Sequence, residues 1–421
     1  MATETLLALG LYLLLGRWLV GLTSSLRDPA FAALNIGAVY YFFYWNNEQR
    51  FPVKFQLVLN LIFVAYLFAL YVQYLAMRRW SDQPGWQPWI AFFIPILFLI
   101  VIRYAPVKEL AALVSPSLGR LIERRPDFTL NAVMVGFSYI AFRSSYLVLE
   151  VRNGVVPKPG LWQYFGFAIF LPTLSVGPIS PYRMHHQGFV PSNKPEIPVG
   201  RAALRVLVGA VKNRFFGPLL NQLTYTGLLL DEHPHHLIDL PIAAVAYYLY
   251  LYCNFSGFCD IAIGSAGLMG IPVAENFANP LVARNLGDYW NRWHITLSHY
   301  MRDVVFSPLS KFLVRTFGPK NANHAIALTI LVVFLLVGIW HGVGWNYAAF
   351  GVAHAAGLIA HHYYTIYLKK WLGRERFAAY NRNRAIHAVS VALTFSYVSA
   401  CLFLFANDGE SMARIFSMLR L

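Results

Sequence analysis

Two histidines stand in segments otherwise suited to lipid: His294 in Trp290-Asn291-Arg292-Trp293-His294-Ile295-Thr296-Leu297-Ser298, and His341 in Gly338-Ile339-Trp340-His341-Gly342. An ionisable side chain is costly in a bilayer, so each is a functional candidate on physical grounds alone. His341 follows a run from Ile326 to Trp340 that holds no charged residue, which suits a buried base. A neutral imidazole, with an unperturbed pKa of about 6.5, can take a proton from a hydroxyl and return it to a leaving group. Gly342 and Gly344 would let a ligand approach the backbone there. The bland alternative is a packing histidine bonded to a neighbouring carbonyl. His294 reads either as a second histidine of the same cavity, orienting donor or acceptor, or as an interfacial residue in an aromatic belt with Trp290 and Trp293.

Asn254, Ser256 and Asp260 interrupt another apolar run, and on a helix Ser256 and Asp260 share a face. They could line a cavity or serve as polar glue between helices. Gly264, Gly267 and Gly270 after them read as a helix-packing face. His233, His235 and His236 lie in a Pro-containing polar loop without cysteine, so no metal site is expected. His185-His186 and His361-His362 read as loop and interface residues. No Gly-x-Ser-x-Gly elbow, His-Glu-x-x-His pair or Gly-x-x-x-x-Gly-Lys loop occurs, which argues against a serine hydrolase, a zinc protease and an ATP-driven machine.

The elements that must position these residues follow from composition. With 57% hydrophobic and 13% charged residues and a mean hydropathy of +0.49, the chain is unlike a soluble domain. A spanning helix needs roughly 20 residues, so the 421 residues allow about ten to twelve membrane segments. The apolar runs are continuous instead of alternating, so the spans are expected to be helices and not barrel strands. The net charge of +15 fits cytoplasmic loops facing anionic headgroups, not nucleic acid. Candidate cytoplasmic loops lie at Arg78-Arg79, Arg120 to Arg125, Lys369-Lys370, Arg374 to Arg376 and Arg382 to Arg384. Cys253, Cys259 and Cys401 read as buried small hydrophobes. Leu6 to Leu22 reads as a retained first span and not a cleaved signal.

Apolar runs at Leu6 to Leu22, Phe31 to Trp45, Val53 to Met77 and Trp89 to Tyr104 predict a first helical group. From Asp127 on, Gly, Pro, Ser, Arg and His break the pattern, so Phe128 to Glu150, with Arg143 inside it, and Trp162 to Ile179 are predicted half-helices or packed inner helices. A polar linker from Pro181 to Gly200 is expected to divide the halves. Runs at Leu204 to Leu229 and Leu240 to Met269 follow, and Asn276 to Asp303 is too polar to span, which predicts a re-entrant or interfacial element. Ala325 to Trp340, Trp345 to Leu368 and Ile386 to Phe405 complete the expected spans.

Taken together the motifs resemble the membrane-bound O-acyltransferase superfamily, in the bacterial branch that holds the D-alanyl transfer proteins of teichoic-acid biosynthesis and the alginate O-acetyltransferases. The resemblance rests on Phe170-Leu171-Pro172-Thr173, Gly177-Pro178-Ile179 and Tyr182-Arg183, then on Asn254-Phe255-Ser256-Gly257 and Asp260-Ile261-Ala262-Ile263-Gly264. Glu275-Asn276-Phe277, Pro280, Trp290, Arg292-Trp293-His294, Leu297-Ser298 and Arg302-Asp303 follow in the family's order. Gly338 to Gly342, Trp345-Asn346 and Gly351 to His354 close it. The resemblance covers about Phe128 to His354. Gly136 to Arg143 and Glu150 to Gly154 look more like the D-alanyl group, whereas Ser180-Pro181-Tyr182-Arg183 lacks the acidic residue that this group carries before its Arg.

The resemblance implies one all-α, multispanning membrane domain of about ten to twelve helices, including re-entrant or interfacial segments, around a central funnel or tunnel. Within it residues 1–127 would be peripheral, 128–368 the catalytic core, and 369–421 a C-terminal loop and helix. His341 matches the family's catalytic histidine and His294 its second histidine. Asn254, Ser256, Asp260, Trp290, Arg292, Trp293, Arg302, Asp303, Trp340 and Arg183 are the candidate substrate-binding or cavity-lining residues. The expected chemistry is transfer of a D-alanyl or acetyl group from a thioester, on an acyl carrier protein or coenzyme A, to hydroxyls of an envelope polymer or glycan. No tightly bound cofactor is expected. An accessory extracytoplasmic or membrane-anchored transfer protein is the expected further partner, and the bacterial cytoplasmic membrane the expected location. The rival readings are a transporter or flippase for a lipid-linked intermediate and a silent scaffold; neither inverted repeats nor intramembrane charge pairs stand out for the first.

Overall fold

Backbone amides placed in hydrocarbon must find partners within their own segment, and the chain meets this demand with helices nearly throughout. The computed structural model describes residues 2–45, 53–104, 116, 136–193, 195–230 and 233–420. The basic cluster from Arg120 to Arg125 and the start of the Phe128 run lie outside them. Helices at Glu4–Gly21, Asp239–Leu268, Pro319–His341 and Arg384–Ala406 are long and apolar enough to cross a membrane, and Gln87–Ile100 is a shorter apolar helix. A two-residue parallel pairing joins His235–His236 to Leu419–Arg420.

The chain forms two compact units. The first comprises Met1–Leu207 and Cys259–Ala274; the second comprises Val208–Phe258 and Glu275–Leu421. The boundary therefore falls inside the helix Val199–Val211, past the polar linker expected to mark it. The linker stays with the first unit because it is pinned there. Ser180 Oγ accepts from the Ala274 amide at 3.3 Å, and Gly188 lies so close to Gly270 and Ile271 that a side chain would meet their backbone near 3.2 Å.

In the first unit, Tyr12, Leu19, Phe31, Phe170, Ile263 and Met269 build the core. The run from Trp162 to Ile179 is broken as its composition predicts: a helix at Leu161–Ala168, one 3-10 turn at Leu171–Thr173, then irregular chain. Arg143, buried on Phe137–Arg152, bonds the carbonyl oxygens of Phe167 at 3.1 Å and of Thr173, satisfying acceptors that the break leaves orphaned. His185 is a correction to the sequence reading. It is no loop residue but is buried on Tyr182–Gln187 among the rings of Phe167, Phe170 and Phe189, between 5.0 and 5.5 Å away.

Gly264 and Gly267 in the Asp239–Leu268 helix are packing positions, as expected, whereas Gly270 lies beyond the helix end with φ +82°; Gly257 packs as well. A side chain on Gly264 would meet the Ala202 carbonyl at 2.8 Å, and one on Gly257 the Gly209 carbonyl at 2.8 Å. In the second unit, Tyr248, Leu286, Tyr289, Trp293, Phe350 and Val398 form an aromatic-rich core. Asn276 to Asp303 is not one helix but an extended stretch followed by short helices at Leu286–Trp290 and Ile295–Met301. The helix Ala322–His341 returns through Gly342 to Gly344 into Trp345–Arg382, which kinks at Gly373, where φ is +71°.

Candidate active site

His341 is placed by a close helix crossing. A side chain on Gly338 would collide with the carbonyl oxygen of Tyr347, and one on Gly351 with that of Phe334 while touching the Gly338 Cα at 3.4 Å. Two glycines thus let the backbones touch one turn before His341, whose half-buried ring lies 4.6 Å from Trp340 and 5.0 Å, edge-on, from Phe405. Gly342 and Gly344 do not admit a ligand in the way the sequence suggested. The space beside Gly342 is filled by the Tyr347 ring and that beside Gly344 by the Asn346 side-chain oxygen.

His294 is set by an extended segment paired against it. Phe277 bridges Trp293 in antiparallel fashion, the Ala278 amide donates to the Arg292 carbonyl, and the Ile295 amide donates to the Asn276 carbonyl, both at 3.0 Å. The fully buried Asn276 side chain then fixes the ring. Its Oδ1 accepts from the Thr296 amide at 3.2 Å and from Thr296 Oγ1 at 2.9 Å, and it lies 3.2 Å from His294 Nδ1. A backbone amide can only donate, so the Asn276 atom facing it must be oxygen, and His294 Nδ1 must carry the proton. The lone pair of the neutral ring is thereby assigned to Nε2.

His294 itself is 3% exposed and adopts left-handed backbone, φ +46°, at the start of Ile295–Met301. It lies outside the four candidate spans. Burial, and after it repulsion from a charge on His341, pushes its pKa well below the ordinary histidine value. Its ring is 4.8 Å from Phe255 and 6.3 Å from Trp340, so Trp340 stands beside both histidines.

Most remaining candidates are structural here. Trp293 is core, stacked on Tyr289 at 5.7 Å. Arg292 bonds Asp288 at 2.8 Å and the Ala278 carbonyl at 3.2 Å, clamping the segment that carries His294. Arg302 pairs with its neighbour Asp303 at 2.9 Å. Asn213 donates to the Asn254 main-chain carbonyl at 3.4 Å, which holds the backbone of this helix and leaves the Asn254 side chain unassigned. Ser256 is buried with its hydroxyl unpartnered. Asp260 and Arg183 belong to the first unit. Asp260 pairs with Arg205 at 3.0 Å, the polar-glue alternative. Glu150 receives the Tyr182 amide at 2.7 Å and stands 3.9 Å from Arg183, so the acid that the local sequence lacks comes from another helix.

Two features were given no role by the sequence reading beyond their place in the motif. His354 is fully buried with neither ring nitrogen hydrogen-bonded, enclosed by Tyr289, Trp290, Phe334 and Phe350 with ring centres 4.6 to 6.3 Å away. A cavity of about 320 Å³ is lined by Trp290, Asn291, Ser298, Arg302, Phe334 and Val337, among others. Trp290 Nε1 and Ser298 Oγ are buried in its walls without partners. Apolar walls with two orphaned donors suit a slender chain carrying carbonyl oxygens.

The model of the membrane-bound O-acyltransferase (MBOAT) family matches residues 85–402. The chain belongs to this family. It is a membrane O-acyltransferase, in place of the transporter and scaffold alternatives. It is 30% identical over 289 residues to a teichoic acid D-alanyltransferase of Streptococcus thermophilus, covering 65% of this chain and 68% of that one. It is 26% identical to a probable alginate O-acetylase of Pseudomonas syringae pv. tomato, across 66% of this chain and 50% of the relative. A peptidoglycan O-acetyltransferase of Helicobacter pylori is 29% identical across 49% of this chain and 38% of the relative.

Proposed function

We propose that the enzyme moves a D-alanyl or acetyl group from a thioester to a hydroxyl of a cell-envelope polymer, with His341 as general base and His294 as the residue that orients the reactants. The observation that carries this reading is that the rings of His294 and His341 both stand against Trp340, at 6.3 and 4.6 Å, with the lone pair of His294 assigned to Nε2. His341 takes the hydroxyl proton as the oxygen attacks the thioester carbonyl. The C–O bond forms, the C–S bond breaks, and the proton passes to the departing thiolate, giving ester and thiol.

The cavity bounded by Trp290 and Ser298 would hold the donor arm, its carbonyls accepting from the two orphaned donors. The donor would be an acyl carrier protein or coenzyme A thioester, and an accessory extracytoplasmic or membrane-anchored protein would complete delivery. The multi-pass enzyme would sit in the bacterial cytoplasmic membrane. Relatives that act on teichoic acid, alginate and peptidoglycan support the class of acceptor. Mass spectrometry of base-released acyl groups from the envelope, comparing wild type with His341→Ala, tests the reading. Alanine or acetate that disappears with His341 is expected; an ester yield unchanged by a folded His341→Ala enzyme would overturn the role of that residue.

A further inference from the structure

A second cavity, of about 330 Å³, lies in the same unit and shares no lining residue with the first. Its walls carry Arg284, His361, His387, Tyr364, Tyr380 and Asn381, and no Asp or Glu is among its lining residues. The kink at Gly373 folds the chain back so that the Tyr380 hydroxyl meets that of Tyr364 at 3.0 Å, which closes one wall. Asp288 accepts from the Arg284 main-chain amide at 3.0 Å, but its carboxylate is engaged by the Arg292 guanidinium at 2.8 Å. Among the described residues no carboxylate lies within ion-pair distance of the Arg284 guanidinium, and Asp288 meets its charge only at longer range. From Lys369 to Arg384 six cationic residues face a single acid, Glu375. Tyr367 and Trp371 beside them are 65% and 81% exposed, the side chains that settle at a headgroup layer.

We propose that this cavity binds a phosphoryl group, taken from an anionic lipid headgroup or from a soluble phosphate ester. Arg284 supplies a forked, permanently charged donor, His387 and His361 further N–H groups, and Tyr364, Thr365 and Ser390 hydroxyls around it. The N-terminal amides of Arg384–Ala406 add little, because the Asn383 side chain already accepts from Ala385 and Ile386. The proposal is independent of the acyl-transfer reading, since none of these residues belongs to the His294 and His341 site.

The test uses the full chain in detergent. Native mass spectrometry with phosphatidylglycerol and phosphatidylcholine probes the lipid source, and calorimetry with glycerol 3-phosphate probes the soluble one. Arg284→Gln and His387→Gln should each weaken binding of the anionic probe about tenfold, as expected for a lost charge-assisted bond. Arg374→Gln, on the basic run but not on the cavity wall, should leave it unchanged. Phosphatidylglycerol bound in preference to phosphatidylcholine assigns the lipid source, and tight glycerol 3-phosphate the soluble one. Binding of neither anionic probe, wild-type affinity in a folded Arg284→Gln protein, or equal weakening by Arg374→Gln would overturn the site.

Discussion

Replacing Gly351 with alanine should displace the proposed base without touching it. The new Cβ would sit against the carbonyl oxygen of Phe334, far inside van der Waals contact, and 3.4 Å from the Gly338 Cα. Both neighbours are backbone, so no side chain can swing away, and the two helices must part by about 1 Å. Overpacking of this kind costs about 1–3 kcal/mol of stability. His341 lies three residues beyond Gly338 on the displaced helix, and a misplacement of about 1 Å can cost on the order of 100-fold in rate. The loss should fall mainly on kcat, because Trp290 Nε1 and Ser298 Oγ of the donor cavity lie on other segments, while movement of Phe334 and Val337 in its wall adds a smaller rise in KM. Turnover of a purified thioester donor, alongside thermal unfolding followed by tryptophan fluorescence, reads both quantities. Gly10→Ala is the control, since nothing lies within 4 Å of its added Cβ. A Gly351→Ala enzyme within twofold of wild type in kcat and unchanged in unfolding temperature would refute the argument that this crossing positions the site.

Asn276→Asp would put a carboxylate beside His294 Nδ1, raise the ring's pKa and keep the imidazole protonated to higher pH. The acid limb of the variant's pH–rate profile should therefore move to higher pH, with little change near neutrality because the ring starts from a pKa well below the ordinary histidine value; an unmoved limb would sink the reading that neutral His294 is needed for turnover. Trp290→Phe and Ser298→Ala each remove an unpartnered buried donor, so KM for the thioester should rise about tenfold with kcat little changed; Ser298→Ala should unfold no more easily than wild type, whereas Trp290→Phe also gives up packing against Phe334 and His354 and should unfold more easily. Loss of kcat at constant KM would count against the cavity as the donor site. Asp260→Asn should lower the unfolding temperature by breaking the pair with Arg205, yet leave kcat per folded enzyme within about twofold. A selective loss of activity would return Asp260 to the substrate site.

What the sequence made legible was whatever depends on local pattern. Uncharged apolar runs located Ala322–His341 and Arg384–Ala406, and interruptions by Pro, Ser and Gly foretold the broken chain after Leu161–Ala168. The two histidines were visible because polar residues are rare in such surroundings. What stayed hidden depends on partners distant along the chain. Asn276 bonds a histidine 18 residues away, His354 is enclosed by rings from several segments, and Glu150 reaches a residue 33 positions on. Gly342 was misread for the same reason: a glycine announces a close approach, but only the fold says that Tyr347 makes it. Arg292, Trp293 and Asp260 carry charge or aromatic surface in a suggestive place, and clamp or pack instead of lining the cavity beside Trp290.

The left-handed backbone at His294 bears on how the residue can be interrogated. Asparagine tolerates that conformation, whereas alanine is strained there by roughly 1–2 kcal/mol. An alanine substitution would merge two losses, the ring and the turn that launches Ile295–Met301, and the share of its defect due to the turn would be ascribed to chemistry in error. Exchange for asparagine keeps the turn and removes only the imidazole. The difference between the two variants is therefore a direct reading of how much of the residue's importance lies in its backbone.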